Sequence, residues 1–166
     1  MTTKNSDLVA NFEASPPVIN PASLYHGVKR VAQGTLELVA GDSTDNDIVM
    51  LAQIPSNASI PAINIATDTF GGSCTFNVGL YQTTGTVVDE DYFASSVADA
   101  GAMTDVRFEA ADITTNGLKV YEMAGETVDP GGFYYVAVTF NATGGTAGSM
   151  SFIIDYVVNK QNMGSS

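Results

Sequence analysis

Apolar and polar residues alternate along much of this 166-residue chain from Gly34 onward, and this pattern restricts it to folds built from β-strands. The clearest segment is CTFNVGLY, whose apolar positions are Cys74, Phe76, Val78 and Leu80. The segment SMSFIIDYVV repeats the pattern with Met150, Phe152, Ile154, Tyr156 and Val158. Because successive side chains of a strand point to opposite faces, each segment predicts a strand that packs through one face.

Further segments carry the same signal, and together they predict about eight strands. GTLELVA places Leu36 and Leu38 on one face, IVMLAQI ends at Pro55, and IPAINIA places Ile63 and Ile65 together. Shorter predicted strands are DVRFEA, with Val106 and Phe108 inward, and LKVYEM, with Leu118 and Val120 inward. FYYVAVTF and SMSFIIDYVV are separated by the turn NATGGTAG, which predicts a hairpin between these two strands.

One helix is predicted, from about Asp89 to Ala100. Asp89 can serve as its N-cap, Glu90 and Asp91 suit the positive end of the helix dipole, and Gly101 would end it. Its apolar stripe would be Phe93 and Val97. We therefore expect an all-β fold, a jelly-roll-like antiparallel β-sandwich of about eight strands with one short inserted helix.

The first 25 residues differ from the rest and predict an extended N-terminal arm. Pro16, Pro17 and Pro21 disfavour regular hydrogen-bonded structure. The segment is too apolar for a solvated tail, since it contains Leu8, Val9, Phe12, Val18, Ile19, Leu24 and Tyr25. We expect an arm over 1–25 that docks onto a partner, a sandwich domain over 26–160 and a C-terminal tail over 161–166.

Charge and composition exclude several kinds of partner. The net charge is −12 with only six basic residues, so a phosphate-neutralising nucleic-acid face is not expected and an anionic membrane would repel the protein. No secretory signal and no apolar run of about 20 residues occur, which predicts folding in a cytoplasm without a membrane span. Cys74 is the sole cysteine and is expected to be a buried thiol.

Few residues suggest catalysis or cofactor binding. His26 is the only histidine, so it is the only candidate base for a Ser-His or Cys-His pair, and it lies between arm and domain. The turn GDSTDND offers oxygen ligands that could hold Ca²⁺, namely Asp42, Asp45 and Asp47. It lacks the glycine and glutamate of an EF-hand, which favours a solvated acidic turn. We expect no enzyme, no cofactor and no metal.

Three stretches carry a family resemblance: HGVKRVAQGTLELVAGDSTDNDIVMLAQIPSNASI, TFNVGLYQTTGTVVDEDYFAS and PGGFYYVAVTFNATGGTAGSMSFIIDYV. Over residues 26–158 the chain resembles the small jelly-roll decoration (cement) proteins of tailed bacteriophages. The resemblance implies a virion protein, made in the host cytoplasm, that binds the exterior of the head and bridges major capsid subunits as a homotrimer or homodimer. The implied capsid-binding residues are Leu8, Phe12, Val18, Ile19, Leu24, Tyr25, Lys29 and Arg30.

Three other functions are compatible with the sequence. A receptor- or glycan-binding fibre domain could share the fold and use Tyr81, Tyr121 or Tyr135 as an aromatic platform, although the chain has no tryptophan. A major capsid subunit with a single jelly roll would be expected to carry a more basic arm than this one. An enzyme is the least favoured reading, because the sequence contains no recognisable catalytic set.

Overall fold

The computed structural model describes residues 4–20, 22–25, 27–99 and 101–158. The strands of this part are β1 Lys29–Leu38, β2 Ile48–Pro55, β3 Ala58–Thr67, β4 Thr75–Gln82, β5 Val87–Ala98, β6 Thr104–Asp105, β7 Phe133–Phe140 and β8 Gly148–Val158. The helices are α1 Asp7–Glu13, α2 Ala22–Tyr25 and α3 Val120–Met123, with a 3₁₀ turn at Ile113–Thr115.

The strands form two four-stranded antiparallel sheets that enclose one hydrophobic core. The first sheet has the order β1-β8-β3-β6 and the second the order β2-β7-β4-β5. Ile63 and Ile154 of the first sheet and Val78 and Val138 of the second are all fully buried in that core. The chain therefore folds as the predicted all-β sandwich, and it crosses repeatedly from one sheet to the other.

Most of the strand predictions are confirmed, but the predicted hairpin between the last two strands is wrong. On β8, Met150, Phe152 and Ile154 are buried as the alternation requires. However, β7 pairs with β2 and β4, whereas β8 pairs with β1 and β3. Two alternating strands can pair within a sheet or face each other across a core, and the sequence pattern is the same in both cases. Here the connection crosses from one sheet to the other.

The helix predicted from Asp89 to Ala100 is also wrong, because β5 occupies Val87–Ala98. The acidic residues resemble the first turn of a helix, and the spacing of Phe93 and Val97 resembles the apolar stripe of a helix. Strand β5 instead pairs with β4 through an irregular register, with Ala94 opposite Val78 and Asp89 opposite Leu80. Pairing with a buried strand has outweighed the local helix signal. Ala100 lies outside the described residues.

The irregular part of β5 closes over the outer face of β4 at Gly79. A Cβ atom on Gly79 would lie 2.2 Å from the Asp89 carbonyl oxygen and 2.3 Å from the Glu90 carbonyl carbon. Partial desolvation, together with the neighbouring Asp91 carboxyl, raises the pKa of the Asp89 carboxyl. The three acidic residues at 89–91 are therefore part of a covering strand rather than a helix cap.

We predict that Gly79→Ala lowers the free energy of unfolding by about 3 kcal/mol, since backbone atoms of β5 must move to admit one methyl group. Urea unfolding monitored by circular dichroism measures the change. Gly41→Ala is the matched control, because its new Cβ would meet no atom within 4 Å. Equal stability of the two variants would contradict this account of the β4–β5 contact.

Two further predicted strands, DVRFEA and LKVYEM, are wrong. Strand β6 ends at Asp105, and the residues after it turn into the core with both Val106 and Arg107 buried. Helix α3 replaces the second strand. Its first turn is closed by the Glu122 carboxylate, which accepts a hydrogen bond from the Lys119 backbone N–H at 2.6 Å.

Arg107 explains why this stretch leaves the sheet. Its side chain is fully buried, its Nε donates to the Ile60 carbonyl oxygen at 2.8 Å, and its guanidinium stacks on Phe93 and Phe108. The guanidinium carbon lies 5.0 Å and 4.4 Å from the two ring centroids. Burial lowers the pKa of Arg107. An alternating apolar pattern gives no sign of such an inward-pointing arginine.

Candidate partner-binding site

The N-terminal arm is folded rather than extended, which corrects part of the sequence expectation. Helix α1 begins after Ser6, whose carbonyl oxygen accepts from Val9 and Ala10 backbone N–H groups. The chain then turns back, and the Val18 N–H donates to the Asn11 carbonyl oxygen at 2.9 Å. The two prolines that follow α1 stop the helix and favour this reversal.

Asn20 fixes the reversal of the arm. Its side chain is buried, accepts a hydrogen bond from Asn11 Nδ2 at 2.7 Å and donates to the Leu8 carbonyl oxygen at 2.9 Å. Phe12 and Tyr25 make an edge-to-face ring contact with centroids 5.1 Å apart. The arm therefore has its own internal hydrogen bonds and an aromatic contact, which fold it back on itself.

The arm leaves most of its apolar side chains uncovered. Helix α1 buries none of its residues, and Leu8 is only half-buried. Ile19 is 92% exposed, and the other exposed side chains are between 44% and 51% exposed. We call this set the arm surface, and it consists of Val9, Phe12, Val18, Ile19, Leu24 and Tyr25.

Leu24 connects the arm to the sandwich. A Cβ atom on Gly117 would lie 2.8 Å from the Leu24 Cδ2 atom, so glycine at this position makes room for the leucine. Gly117 also has a φ of +89°, which other residues adopt with strain. The arm thus rests on the loop between the 3₁₀ turn and α3.

Exposed apolar residues also occur just beyond the arm, at two positions that the sequence analysis did not identify as part of a binding site. Val28 is 74% exposed and Val31 is 49% exposed. Val31 lies on the outward face of β1, opposite Asp155 of β8. The sequence could have indicated this exposure only through an apolar residue at an outward-facing strand position, and that position can be recognised only when the strand register is known.

The basic pair next to the arm is only partly available to a partner. The Lys29 ammonium forms an ion pair with Asp155 at 2.5 Å, so its charge is already offset within the fold. Arg30 is exposed at the start of β1. The candidate site that the structure assembles is therefore the arm surface together with Arg30.

The opposite end of the sandwich carries acidic loops. Loops 39–47, 68–74 and 141–147 contain no lysine or arginine, and they hold Asp42, Asp45, Asp47 and Asp68. The basic residues of the described chain are elsewhere, in the arm, in β1, in the core and beside α3. Exposed carboxylates therefore occur at both ends, since the arm carries Asp7 and Glu13, but the described basic side chains lie away from the acidic loops.

Two of the three suggested calcium ligands in the acidic turn, Asp42 and Asp47, hold the turn together through their carboxylates. Asp42 accepts from the Val39 N–H at 2.9 Å, and Asp47 accepts from the Thr44 N–H and hydroxyl. These bonds lower the pKa of Asp47. In the described residues no group of three or more His, Cys, Asp or Glu side chains could hold a metal ion.

The tyrosines considered for glycan binding do not form an exposed aromatic platform, although Tyr81 and Tyr135 are cross-strand neighbours on β4 and β7. Tyr81 is 1% exposed, and its hydroxyl is hydrogen-bonded to Thr139. Tyr135 is half-buried and accepts from Gln53 Nε2 at 2.8 Å. Tyr121 is half-buried on α3, where its backbone N–H bonds to Ser56. The structure gives no specific support to the glycan reading.

Cys74 is buried as predicted, its Sγ donates to the Ala142 carbonyl oxygen, and burial raises the pKa of its thiol. His26 lies outside the described residues. Over the described part of the chain, no helix is both long and apolar enough to cross a membrane.

Comparisons with solved structures identify similar folds in phage capsids. A chain of the Cyanophage Pam1 capsid asymmetric unit aligns with 80% of this chain and 86% of its own length, at 19% identity and a TM-score of 0.50. A chain of the capsid of Ralstonia phage GP4 aligns with 81% of this chain and 86% of its own, at 16% identity and a TM-score of 0.54. The fold is shared.

At these identities the likeness concerns the fold alone, and it agrees with the predicted jelly-roll-like sandwich. The two shares of coverage are similar in each case, so the matched chains have nearly the length of this one. No protein-family model matches the sequence, and no curated protein matches it.

Proposed function

We propose that this protein is a capsid decoration protein that binds the outside of an assembled phage head and stabilises contacts between major capsid subunits. The observation that carries the proposal is the arm surface, an ordered set of apolar side chains that the protein's own core leaves uncovered. The similar folds of chains of nearly the same length in two phage capsids support a virion role.

The arm surface is suited to binding one ordered partner. Fully burying one large apolar side chain contributes roughly 1.5–3 kcal/mol, and the arm offers several that are about half exposed. Because hydrogen bonds of Asn20 already order the arm, binding loses less conformational entropy than docking of a flexible peptide. A protein that binds only the assembled lattice then stabilises that lattice by mass action.

The charge distribution favours one orientation on the head. The arm end presents apolar side chains with Arg30 beside them as well as the carboxylates Asp7 and Glu13, whereas the opposite end presents aspartates without a neighbouring base. We propose that the arm end contacts an apolar groove with acidic rim residues on the capsid and that the acidic loops face outward. The net charge of −12 keeps the free protein soluble until it reaches the head.

Co-sedimentation of the purified protein with undecorated heads tests the proposal. Phe12→Ser combined with Ile19→Ser is expected to weaken binding at least tenfold, because two exposed anchors lose their apolar area. Val39→Ser is the matched control, since Val39 is 64% exposed and lies next to the acidic turn at the opposite end. Equal affinity of the two proteins for heads would overturn the assignment of the arm, and no binding by the unmodified chain would overturn the function.

A further inference from the structure

The four sheet edges of the sandwich are not equally protected against pairing with another strand. Strand β6 is only two residues long, β2 contains a bulge between Met50 and Ala52, and β5 has several register shifts against β4. Short, bulged or irregular edges are the usual means by which proteins prevent strand addition. Strand β1 has none of these features, because it pairs with β8 without interruption over ten residues and contains no proline.

Strand β1 also has the composition of a pairing strand. Its residues from Val31 to Leu36 are uncharged, with Lys29 and Arg30 before them and Glu37 after them. The outward-facing side chains are all exposed, and they are Lys29, Val31, Gln33, Thr35 and Glu37. In the described chain β1 pairs only with β8, so its other edge is open.

We propose that β1 of one copy pairs antiparallel with β1 of a second copy, about a twofold axis through Gln33. Residues that lie opposite each other on neighbouring strands point to the same face of the sheet. An outward-facing residue of one copy must therefore lie opposite an outward-facing residue of the other, and this is possible only if the twofold axis passes through a residue rather than between two residues. An axis at Gln33 places Lys29 opposite Glu37 of the second copy and Val31 opposite its Thr35. Lys29 would then lie between Asp155 of its own copy and Glu37 of the second, and because the interface is symmetric this arrangement forms twice.

The neighbouring registers lack this charge complementarity. An axis at Gly34 would place Glu37 opposite Val31 of the second copy and Lys29 opposite Val39. An axis at Ala32 would place Lys29 opposite Thr35 and leave Glu37 beyond the paired strand. For a protein with a net charge of −12, a strand whose outward face carries one basic and one acidic residue at complementary positions is a favourable place for two copies to meet.

Contacts already present within one copy fit the proposed ladder. Lys29 is held against Asp155 of β8, and the Glu37 carboxylate accepts from the Ser149 hydroxyl at 3.1 Å. Both side chains are therefore aligned on the outward face of the sheet, where cross-strand pairs form. The result would be one continuous eight-stranded sheet built from two copies.

The pairing has a consequence for the arms, and this consequence rests on the proposed function. In the register centred at Gln33, the two Lys29 positions lie eight residues apart along the strands, or about 27 Å. The two arms would leave from opposite ends of the shared sheet. One dimer could then contact two separate capsid subunits.

Disulfide trapping of the purified full-length protein tests the pairing without any capsid. Gln33→Cys should give a disulfide-linked dimer on mild oxidation, because Gln33 faces itself across the axis at a Cα separation suited to a disulfide. Thr35→Cys is the matched control, since the two Thr35 positions would lie about 13 Å apart. Trapping of both variants to the same extent, or of neither, would overturn the proposed register.

Sedimentation equilibrium of the reduced protein provides the second measurement. The protein should form dimers, and Glu37→Lys should raise the dimer dissociation constant about tenfold by placing like charges opposite each other twice. Asp45→Lys makes the same change in net charge at the opposite end of the molecule and should not weaken the dimer. A monomeric protein, or equal effects of the two substitutions, would overturn the pairing and leave the capsid-binding proposal unaffected.

Discussion

Deletion of residues 2–24 is expected to abolish binding to undecorated heads while the sandwich stays folded. Among its described residues the arm contributes no fully buried apolar side chain to the hydrophobic core, and Leu24 makes one of its contacts with the domain at Gly117. We expect a loss of at least a hundredfold in affinity for heads, because the whole arm surface is removed. The midpoint of thermal unfolding should fall by only a few degrees.

Co-sedimentation with heads and a thermal unfolding curve provide both readouts. Deletion of residues 2–5 is the control, since it leaves Ser6 and helix α1 in place. The protein without residues 2–5 should bind heads with the affinity of the full chain. If the chain without residues 2–24 bound heads with full affinity, the arm would not be the capsid-binding element.

Replacement of Arg107 by alanine is expected to have the largest effect on stability, a loss of about 4 kcal/mol in the free energy of unfolding. The side chain fills the space between Phe93 and Phe108 and satisfies the Ile60 carbonyl oxygen. Alanine would leave both a cavity and an unpaired carbonyl group. Urea unfolding of the two proteins measures the difference.

Arg107→Met separates packing from charge at this position. The Arg107 Nη1 atom has no hydrogen-bond partner among the described residues, and burial disfavours the charged guanidinium. Methionine keeps most of the volume and removes the buried charge, so its cost should be about 1 kcal/mol. Arg30→Ala, at an exposed position, should change stability by less than about 0.5 kcal/mol. Equal losses from Arg107→Ala and Arg107→Met would contradict the packing explanation.

The sandwich could be predicted from the sequence because its central strands bury alternate residues. Phe76, Val78 and Leu80 of β4 and Met150, Phe152 and Ile154 of β8 are buried as the pattern requires. The pairing of strands could not be predicted in the same way. Inward-facing residues of β7 and β8 look alike whether the strands pair or face each other across the core, and only long-range packing distinguishes the two.

The errors lie where local sequence signals compete with tertiary contacts. The acidic start at Asp89 indicates a helix, yet β5 gains hydrogen bonds with β4 and buries Phe93. The buried arginine at 107 interrupts an alternation that predicted a strand. In both stretches, a few long-range contacts decide the backbone conformation.

The candidate site was predicted in part. The apolar content of the arm identified Phe12, Val18 and Ile19, and the structure leaves all three exposed. The helix within the arm was missed, because its seven residues are too short for a clear periodic pattern. The ion pair of Lys29 with Asp155 joins residues more than a hundred positions apart, so no local pattern could indicate it.

Cryo-electron microscopy of undecorated heads incubated with the purified protein tests the central claim most directly. If the protein decorates the head as proposed, we expect regular density on the outer surface of the head. The arm surface should lie against capsid subunits, and the acidic loops should be directed away from them. Heads that remain bare at saturating protein concentration would contradict the decoration role. Density in which the acidic loops contact the head would contradict the proposed orientation and the assignment of the arm.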